Sequence, residues 1–167
     1  MTEVLQDTTN SQDQALQQLA LVRQTLVSGG TIGGLRGISQ QECEALYQFG
    51  HGFYVQARYS EAFQVFALLV TYDHLEPRYL MALAGAAQML HRYEDALQHY
   101  GTAALLLIDD AAPYIHAAEC ALSLGRRDDA EEGLKLALDV LAMQTNPALQ
   151  ARAETLLEMI VRPGEKQ

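Results

Sequence analysis

The residues most capable of chemistry in this sequence are His116, Glu119 and Cys120, which lie in one short segment. A histidine near a thiol and a carboxylate could form a nucleophilic site or bind a metal. On a helix, side chains three or four positions apart share a face, whereas adjacent side chains diverge. Glu119 and Cys120 therefore cannot share a site, and His116 with Cys120 supplies only two ligands, too few for zinc. We interpret His116 as a structural histidine.

A second candidate is His74, which lies between Asp73 and Glu76 and could belong to an acid–base site. No Ser/His/Asp arrangement accompanies it. Residues 29–37 contain five glycines but no Gly-Lys-Ser or Gly-Lys-Thr, so they do not form a phosphate-binding loop. Cys43 and Cys120 have no nearby cysteine partner and are expected to be small buried hydrophobes. The sequence therefore predicts no enzyme, no catalytic residue, no metal site and no cofactor.

The composition excludes two classes of partner. The chain has 167 residues, of which 49% are apolar, and its formal net charge is −10 with only 11 Lys and Arg. Binding to nucleic acid or to an anionic membrane requires clustered cations, which this sequence lacks. The polar, acidic N-terminus has no secretion signal, and no apolar run is long enough to span a bilayer. We expect a soluble cytoplasmic protein.

A pattern of alanines repeats along the middle of the chain. Ala62, Ala96 and Ala130 are separated by 34 residues and then by 34 again. Each follows an aromatic residue or an arginine by three positions and precedes a large apolar residue by four. A period of about 34 residues is that of the tetratricopeptide repeat, in which two helices form a hairpin. The alignment predicts three repeats, at 43–76, 77–110 and 111–144.

The same alignment places small residues at Gly50, Ala84 and Ala118, where the two helices of one hairpin must approach closely. Each hairpin leaves an apolar face bare, so the three must stack and the ends must be capped. We predict an all-α fold, a tetratricopeptide-repeat solenoid of three helix hairpins with an N-terminal helical arm and a C-terminal capping helix. The other predicted segments are a disordered tail at 1–10, the arm with a glycine-rich bend at 11–42, the capping helix at 145–161 and a tail at 162–167.

Local signals agree with these positions. Ser39 and Glu42 have the spacing of a capping box that would open the first repeat. Pro77 suits the first turn of the next helix, and Gly125 is placed to end a helix in the left-handed conformation. Asn146 before a proline predicts the start of the capping helix.

Several stretches of the sequence together resemble one known family. They are Gly29-Gly30-Thr31-Ile32, Leu35, Gly37-Ile38-Ser39, Leu46-Tyr47, Asp73-His74, Arg78-Tyr79 and His116-Ala117-Ala118-Glu119-Cys120. Over roughly residues 15–160 the chain resembles the class II chaperones of bacterial type III secretion systems, which serve the translocator subunits. It departs from them at Ala84 and His91, where glycine is common in the family. The resemblance implies a homo-oligomeric chaperone that keeps hydrophobic translocators soluble and separate until export.

The repeat predicts which side chains face the concave groove, because positions 2, 5, 9 and 12 of each first helix point inward in such a solenoid. The predicted client-binding residues are Glu44, Tyr47, His51, Tyr54, Arg78, Met81, Gly85, Gln88, Ile115, Glu119 and Leu122. The tyrosines and aliphatic side chains would form apolar pockets with polar tips, which suit a peptide bearing proline or leucine. The alternative is that Tyr47 and Tyr54 pack beneath the N-terminal arm.

The residues at the same positions also bear on other protein classes. A co-chaperone that binds the carboxyl terminus of heat-shock proteins needs a clamp of Lys or Arg with Asn, where this chain has Tyr47, His51, Ala82, Ala112 and His116. That class is disfavoured. A generic tetratricopeptide adaptor or a needle-subunit chaperone of the same apparatus stays open as the alternative, and an enzyme is a remote one.

An apolar stripe precedes the repeats. Leu16, Leu19, Ala20 and Leu26 fall on one side of a predicted helix, and a three-repeat solenoid need not cover them. The stripe could pack on its own solenoid or on a second subunit, and the family resemblance favours the second subunit. We therefore predict a homodimer with these four dimerisation residues.

Overall fold

Six helices form three antiparallel hairpins that stack in chain order, and a further helix covers the last of them. The computed structural model describes residues 2–144 and 146–161, with side chains from residue 14 onward except at residue 15. The helices are α1 Thr2–Val27, α2 Ile32–Leu35, α3 Gln40–Val55, α4 Tyr59–Tyr72, α5 Pro77–Met89, α6 Tyr93–Leu106, α7 Ala112–Ser123, α8 Arg127–Ala142 and α9 Pro147–Val161. The predicted all-α solenoid with a capping helix is confirmed.

The alanine pattern marks the core of the solenoid. Ala62, Ala96 and Ala130 are all 0% exposed, and each lies near the start of the second helix of its hairpin. Gly50 permits the closest approach within the first hairpin, because a Cβ atom there would lie 2.7 Å from Cε1 of Phe66. These small side chains let the paired helices pack at short range while larger ones fill the space between hairpins.

The turn inside each hairpin contains one residue in the left-handed region. Ala57, His91 and Gly125 have φ angles of 59°, 58° and 75°, and they occupy the same position in successive repeats. Only Gly125 is a glycine, as the sequence predicts for this helix end. Residues with a Cβ atom adopt this conformation at a cost, so the first two turns carry backbone strain that the third avoids.

Helix starts follow the sequence signals. The Ser39 side chain accepts a hydrogen bond from the backbone N–H of Glu42 at 3.2 Å, and the Glu42 carboxylate accepts one from the Ser39 N–H at 2.8 Å. This capping box opens α3 at Gln40, three residues before the predicted repeat boundary. Pro77 occupies the first turn of α5. The Asn146 side chain accepts a hydrogen bond from the Leu149 N–H at 3.2 Å at the start of α9.

The N-terminal segment differs from the prediction in extent. Helix α1 begins at Thr2, so residues 2–10 are helical rather than a disordered tail. The reason is that no glycine or proline interrupts the chain before Gly29. The glycine-rich bend follows, with Ile38 packed against the first-repeat core. The predicted tail at 162–167 lies outside the described residues, as do residue 145 and Met1. We keep 43–76, 77–110 and 111–144 as the proposed repeat boundaries.

The stripe on α1 is uncovered. Leu16 and Leu19 are 63% and 66% exposed, Ala20 is exposed, and Leu26 is 38% exposed. Most of the contacts that α1 makes are with the short helix α2. Leu16, Leu19 and Ala20 are therefore not covered by the solenoid, whereas Leu26 lines a pocket with Val70 and Thr71 of α4. Among the described helices, none combines the length and the hydrophobicity that crossing a membrane would require.

A candidate peptide-binding groove

The first helices of the hairpins, α3, α5 and α7, line an open cavity of about 400 Å³ to which helices α4, α6 and α9 also contribute. The residues that line it are Tyr47, His51, Tyr54, Phe66, Met81, Ala82, Gly85, Gln88, Met89, Tyr100, His116, Glu119 and Arg152. Seven of the eleven predicted client-binding residues are among them. We call this cavity the groove.

One half of the groove is apolar and aromatic. Tyr47 packs against Phe66 with the ring centroids 5.8 Å apart, and Tyr54 meets Tyr59 edge to face at 5.3 Å. Both Tyr47 and Tyr54 are partly exposed, because α1 does not cover them. Burial raises the pKa of Tyr54, whose hydroxyl therefore stays protonated at neutral pH and can donate a hydrogen bond. Of the two arrangements that the sequence allowed, the tyrosines line the groove.

Gly85 occupies the middle of the groove, on α5 between the two halves. A Cβ atom at this position would lie 3.6 Å from the Tyr100 hydroxyl oxygen and 3.8 Å from that of Tyr54. These are ordinary van der Waals distances, so a methyl group fits and a larger side chain would have to enter the space between the two hydroxyls. The absence of a side chain at Gly85 keeps this space open.

The other half of the groove is polar and tightly connected. The Tyr100 hydroxyl donates to Oε1 of Gln88 at 2.9 Å, and the Tyr100 ring stacks on the ring of His116 with the centroids 5.2 Å apart. Nδ1 of His116 lies 3.2 Å from Oε2 of Glu119. Burial raises the pKa of Tyr100 strongly, which keeps its hydroxyl a donor. The side chains of this half are therefore held in place before any ligand arrives.

Glu119 is the anchor of this polar half. Its side chain is only 17% exposed, and its other oxygen, Oε1, accepts a hydrogen bond from Nε of Arg152 at 2.7 Å. Burial raises the pKa of Glu119, but the hydrogen bond with His116 and the positive charge of Arg152 outweigh it, so the pKa lies below its usual value. Glu119 is therefore an ionised carboxylate paired with a guanidinium from α9.

Two predicted residues lie beside the groove instead of in it. The guanidinium of Arg78 donates to Glu44 at 3.3 Å and lies over the ring of Tyr47, 5.4 Å from its centroid. A hydrogen bond from Gln48 and the charge of Arg78 lower the pKa of Glu44. These exposed charges flank the aromatic half and are positioned to contact a ligand that extends past Tyr47.

The prediction that Ile115 faces the client is wrong, and Leu122 is not among the residues that line the groove. Ile115 is 0% exposed and belongs to the core that also contains Ala153 of α9, so it cannot touch a ligand. Leu122 is partly buried against the same core. Both side chains pack into the apolar core of the third hairpin, which contains Leu134 as well as Ala153. The third repeat reaches the groove through His116 and Glu119 instead.

Sequence reasoning missed six lining residues. Four of them, Phe66, Ala82, Met89 and Tyr100, occupy positions that the rule for inward-facing residues does not select, and the sequence predicts only a structural role for His116. A signal existed for Tyr100, because it occupies a repeat position that holds Phe66 and Leu134 elsewhere, and its additional hydroxyl needs a partner. The sixth, Arg152, lies on the capping helix, outside any repeat position.

The candidate chemical residues do not assemble into a reactive site. Cys120 is 0% exposed, and burial raises the pKa of its thiol to about 11, so it is a protonated thiol at neutral pH. His116 faces the groove, whereas Cys120 lies in the core formed with Tyr100. Among the described side chains, which are those of residues 14, 16–144 and 146–161, no three His, Cys, Asp or Glu residues form a metal-binding group.

Comparisons with known proteins identify the family. No protein-family model matches the chain. It is 35% identical over 156 residues to low calcium response locus protein H of Yersinia pestis. The aligned residues cover 93% of this chain and 90% of that protein. It is 30% identical over 132 residues to the chaperone protein SicA of Salmonella typhimurium, with 79% of this chain and 78% of SicA covered.

Solved structures agree with the sequence relatives. Pseudomonas aeruginosa PcrH in complex with the chaperone-binding region of PopD is 38% identical with a TM-score of 0.73, over 76% of this chain and 96% of that one. The type III secretion chaperone SycD of Yersinia enterocolitica, bound to a peptide of the translocator YopD, is 31% identical with a TM-score of 0.72, over 75% and 97%. A further SycD structure, an alternative dimer, is 32% identical with a TM-score of 0.72, over 77% and 98%. The chain belongs to the class II chaperones of type III secretion systems, the translocator chaperones.

Proposed function

We propose that this protein is a chaperone that binds an extended segment of a hydrophobic type III secretion translocator in the groove. The observation that carries the proposal is the groove itself, in which two tyrosines, Met81 and the open space at Gly85 adjoin a fixed polar half. Aromatic side chains with polar tips bind apolar residues of an extended peptide while satisfying its main chain. Binding covers apolar client residues and keeps the client from assembling before export.

The size of the groove supports a peptide segment as the ligand. A cavity of about 400 Å³ is open along its length and can hold a few client side chains. PcrH and SycD, two similar proteins with solved complexes, bind a chaperone-binding region or peptide of a translocator. We assign the same class of ligand to this chain. A generic adaptor would need a partner of another class, and no feature of the groove favours one.

We propose further that the protein acts by binding and catalyses no reaction. Cys120 is buried with a raised thiol pKa, so it cannot act as a nucleophile at neutral pH. His116 stacks on Tyr100 and pairs with Glu119, and both contacts position ligand-facing groups. The polar half of the groove is therefore used for recognition.

We also propose that the α1 stripe mediates self-association. Leu16, Leu19 and Leu26 expose an apolar surface that solvent-exposed helices normally avoid, and a second subunit with the same stripe could bury both symmetrically. SycD has been crystallised as an alternative dimer, which supports a homodimer for this chain.

Direct binding tests the proposed function. Labelled peptides that span the chaperone-binding region of PopD and the YopD peptide bound by SycD are titrated with the protein, and fluorescence anisotropy is recorded. We expect saturable one-site binding of at least one peptide with a Kd of about 10 μM or tighter. Failure of both peptides to bind a protein that is helical and melts cooperatively would contradict the proposal.

A further inference from the structure

We propose that Arg152 of the capping helix binds a main-chain carbonyl of the client and that Glu119 holds its guanidinium in place for this contact. The inference rests on the proposed function and adds α9 to the client site. Arg152 lines the groove, although every residue that the repeat pattern places there lies on a first helix of a hairpin.

The geometry of the pair leaves donors of Arg152 available to a ligand. Nε and Nη2 of Arg152 both approach the same oxygen of Glu119, Oε1, and the second carboxylate oxygen is bound by His116. A guanidinium has five N–H donors in a fixed plane, so two contacts to one oxygen leave others free to donate elsewhere. The side chain of Arg152 is 47% exposed, which keeps these donors accessible from the groove.

The charge of the pair favours a neutral acceptor. The carboxylate of Glu119 balances the charge of Arg152, and its pKa below the usual value keeps it ionised at neutral pH. An acidic client side chain would therefore gain little net attraction, whereas a carbonyl oxygen gains a charge-assisted hydrogen bond. An extended segment in a partly apolar groove needs such donors, because its buried carbonyl groups lose their hydrogen bonds to water.

Gln88 is a second donor in the groove whose orientation is set by a hydrogen bond with another side chain. Its Oε1 accepts the hydrogen bond from the Tyr100 hydroxyl, which directs the amide nitrogen to serve as a donor. Tyr100 and Glu119 are thus positioning residues for two donors, Gln88 and Arg152. Both donors belong to the polar half of the groove, opposite the tyrosines that receive apolar client side chains.

The test measures the Kd of the PopD chaperone-binding region for wild type, Arg152→Gln, Glu119→Gln/Arg152→Gln and Arg126→Gln. Arg126 is the matched control, because it is 44% exposed and pairs with Glu94 outside the groove. We expect the Kd to rise about tenfold for Arg152→Gln, equivalent to losing one hydrogen bond to a charged group, and to change less than about twofold for Arg126→Gln.

The double variant separates binding from fold support. It removes both charges, so a purely structural role of Arg152 would return the Kd to the wild-type value, whereas the proposed role keeps it about tenfold weaker. Wild-type affinity of either Arg152 variant overturns the inference while leaving the proposed function intact. If wild type does not bind the PopD region, the same variants are measured with the YopD peptide, and failure of wild type to bind either peptide contradicts both proposals.

Discussion

The ring of Tyr100 stacks on the ring of His116 across the junction of the second and third hairpins, with 21° between the ring planes. Tyr100 lies on α6 and His116 on α7, so the stack joins the second helix of one repeat to the first helix of the next. It also fixes both side chains at the floor of the groove. The packing between repeats and the shape of the ligand site therefore depend on the same contact.

The aromatic half of the groove is expected to supply most of the binding energy. Replacing Tyr54 with alanine should weaken binding of the PopD region by about 2 kcal/mol, roughly thirtyfold, because buried aromatic anchors dominate peptide interfaces. Replacing Tyr47 should weaken it similarly and also lower the melting temperature, because Tyr47 packs on Phe66 and Tyr79. The control is Phe49→Ala, an exposed aromatic residue on α3 outside the groove. A Tyr54→Ala protein that binds like wild type would refute this assignment.

The left-handed turns predict a stabilising substitution. Ala57→Gly should raise the free energy of unfolding by about 0.5–1 kcal/mol, because glycine adopts a φ of 59° without the steric cost that alanine meets. The converse change, Gly125→Ala, should lower it by about 1 kcal/mol, and a Cβ atom there meets no neighbour within 4 Å, so only the backbone responds. Urea denaturation measures both. An Ala57→Gly protein that is less stable than wild type, or a Gly125→Ala protein that is more stable, would show that the strain is misassigned.

Self-association should depend on the α1 stripe. Leu16→Glu/Leu19→Glu places two charges on the apolar face and should convert the dimer to a monomer in sedimentation at tens of micromolar protein, since burying unpaired charges is costly. Gln17→Glu/Gln18→Glu adds the same charge on the same helix, and this control should remain dimeric. The dimer proposal fails if wild type sediments as a monomer or if both variants behave alike.

Acid should remove the contribution of Glu119 to stability. Its pKa is lowered in the folded protein, so its ionised form stabilises the fold above the ordinary glutamate pKa, and this contribution is lost as the pH falls through the folded value. Glu119→Gln should therefore be less stable than wild type at pH 7, and the difference should vanish toward pH 3. The urea denaturation midpoints of the two proteins, recorded between pH 7 and pH 3, measure this difference in stability. A difference that does not change with pH would contradict the assigned ion pair.

The sequence predicts the solenoid well because the residues that indicate it recur at a constant spacing. The spacing of Ala62, Ala96 and Ala130 locates the helix pairs, and the second helices begin at the corresponding Tyr59, Tyr93 and Arg127. The groove residues of the first two repeats follow from the same rule, because their first helices face an open surface.

The rule fails where the repeats are not equivalent. Ile115 occupies the repeat position of Tyr47 and Met81, yet it is fully buried in the core of the third hairpin together with Leu134 and Ala153. Arg152 could not be predicted at all, because its contact with Glu119 joins the capping helix to the solenoid and no repeat specifies that distance. Contacts between residues that do not follow the repeat can be identified only from the folded structure.

The most direct test of the groove as the client site is the affinity of the PopD region for Gly85 variants. Gly85→Ala adds a methyl group at ordinary contact distance from the hydroxyls of Tyr54 and Tyr100, and Gly85→Leu fills the space between them. Both replace a helical glycine and should fold at least as well as wild type. We predict that Gly85→Ala binds within about threefold of wild type and that Gly85→Leu binds at least about thirtyfold more weakly, a loss of about 2 kcal/mol. Wild-type affinity in a folded Gly85→Leu protein would contradict the account.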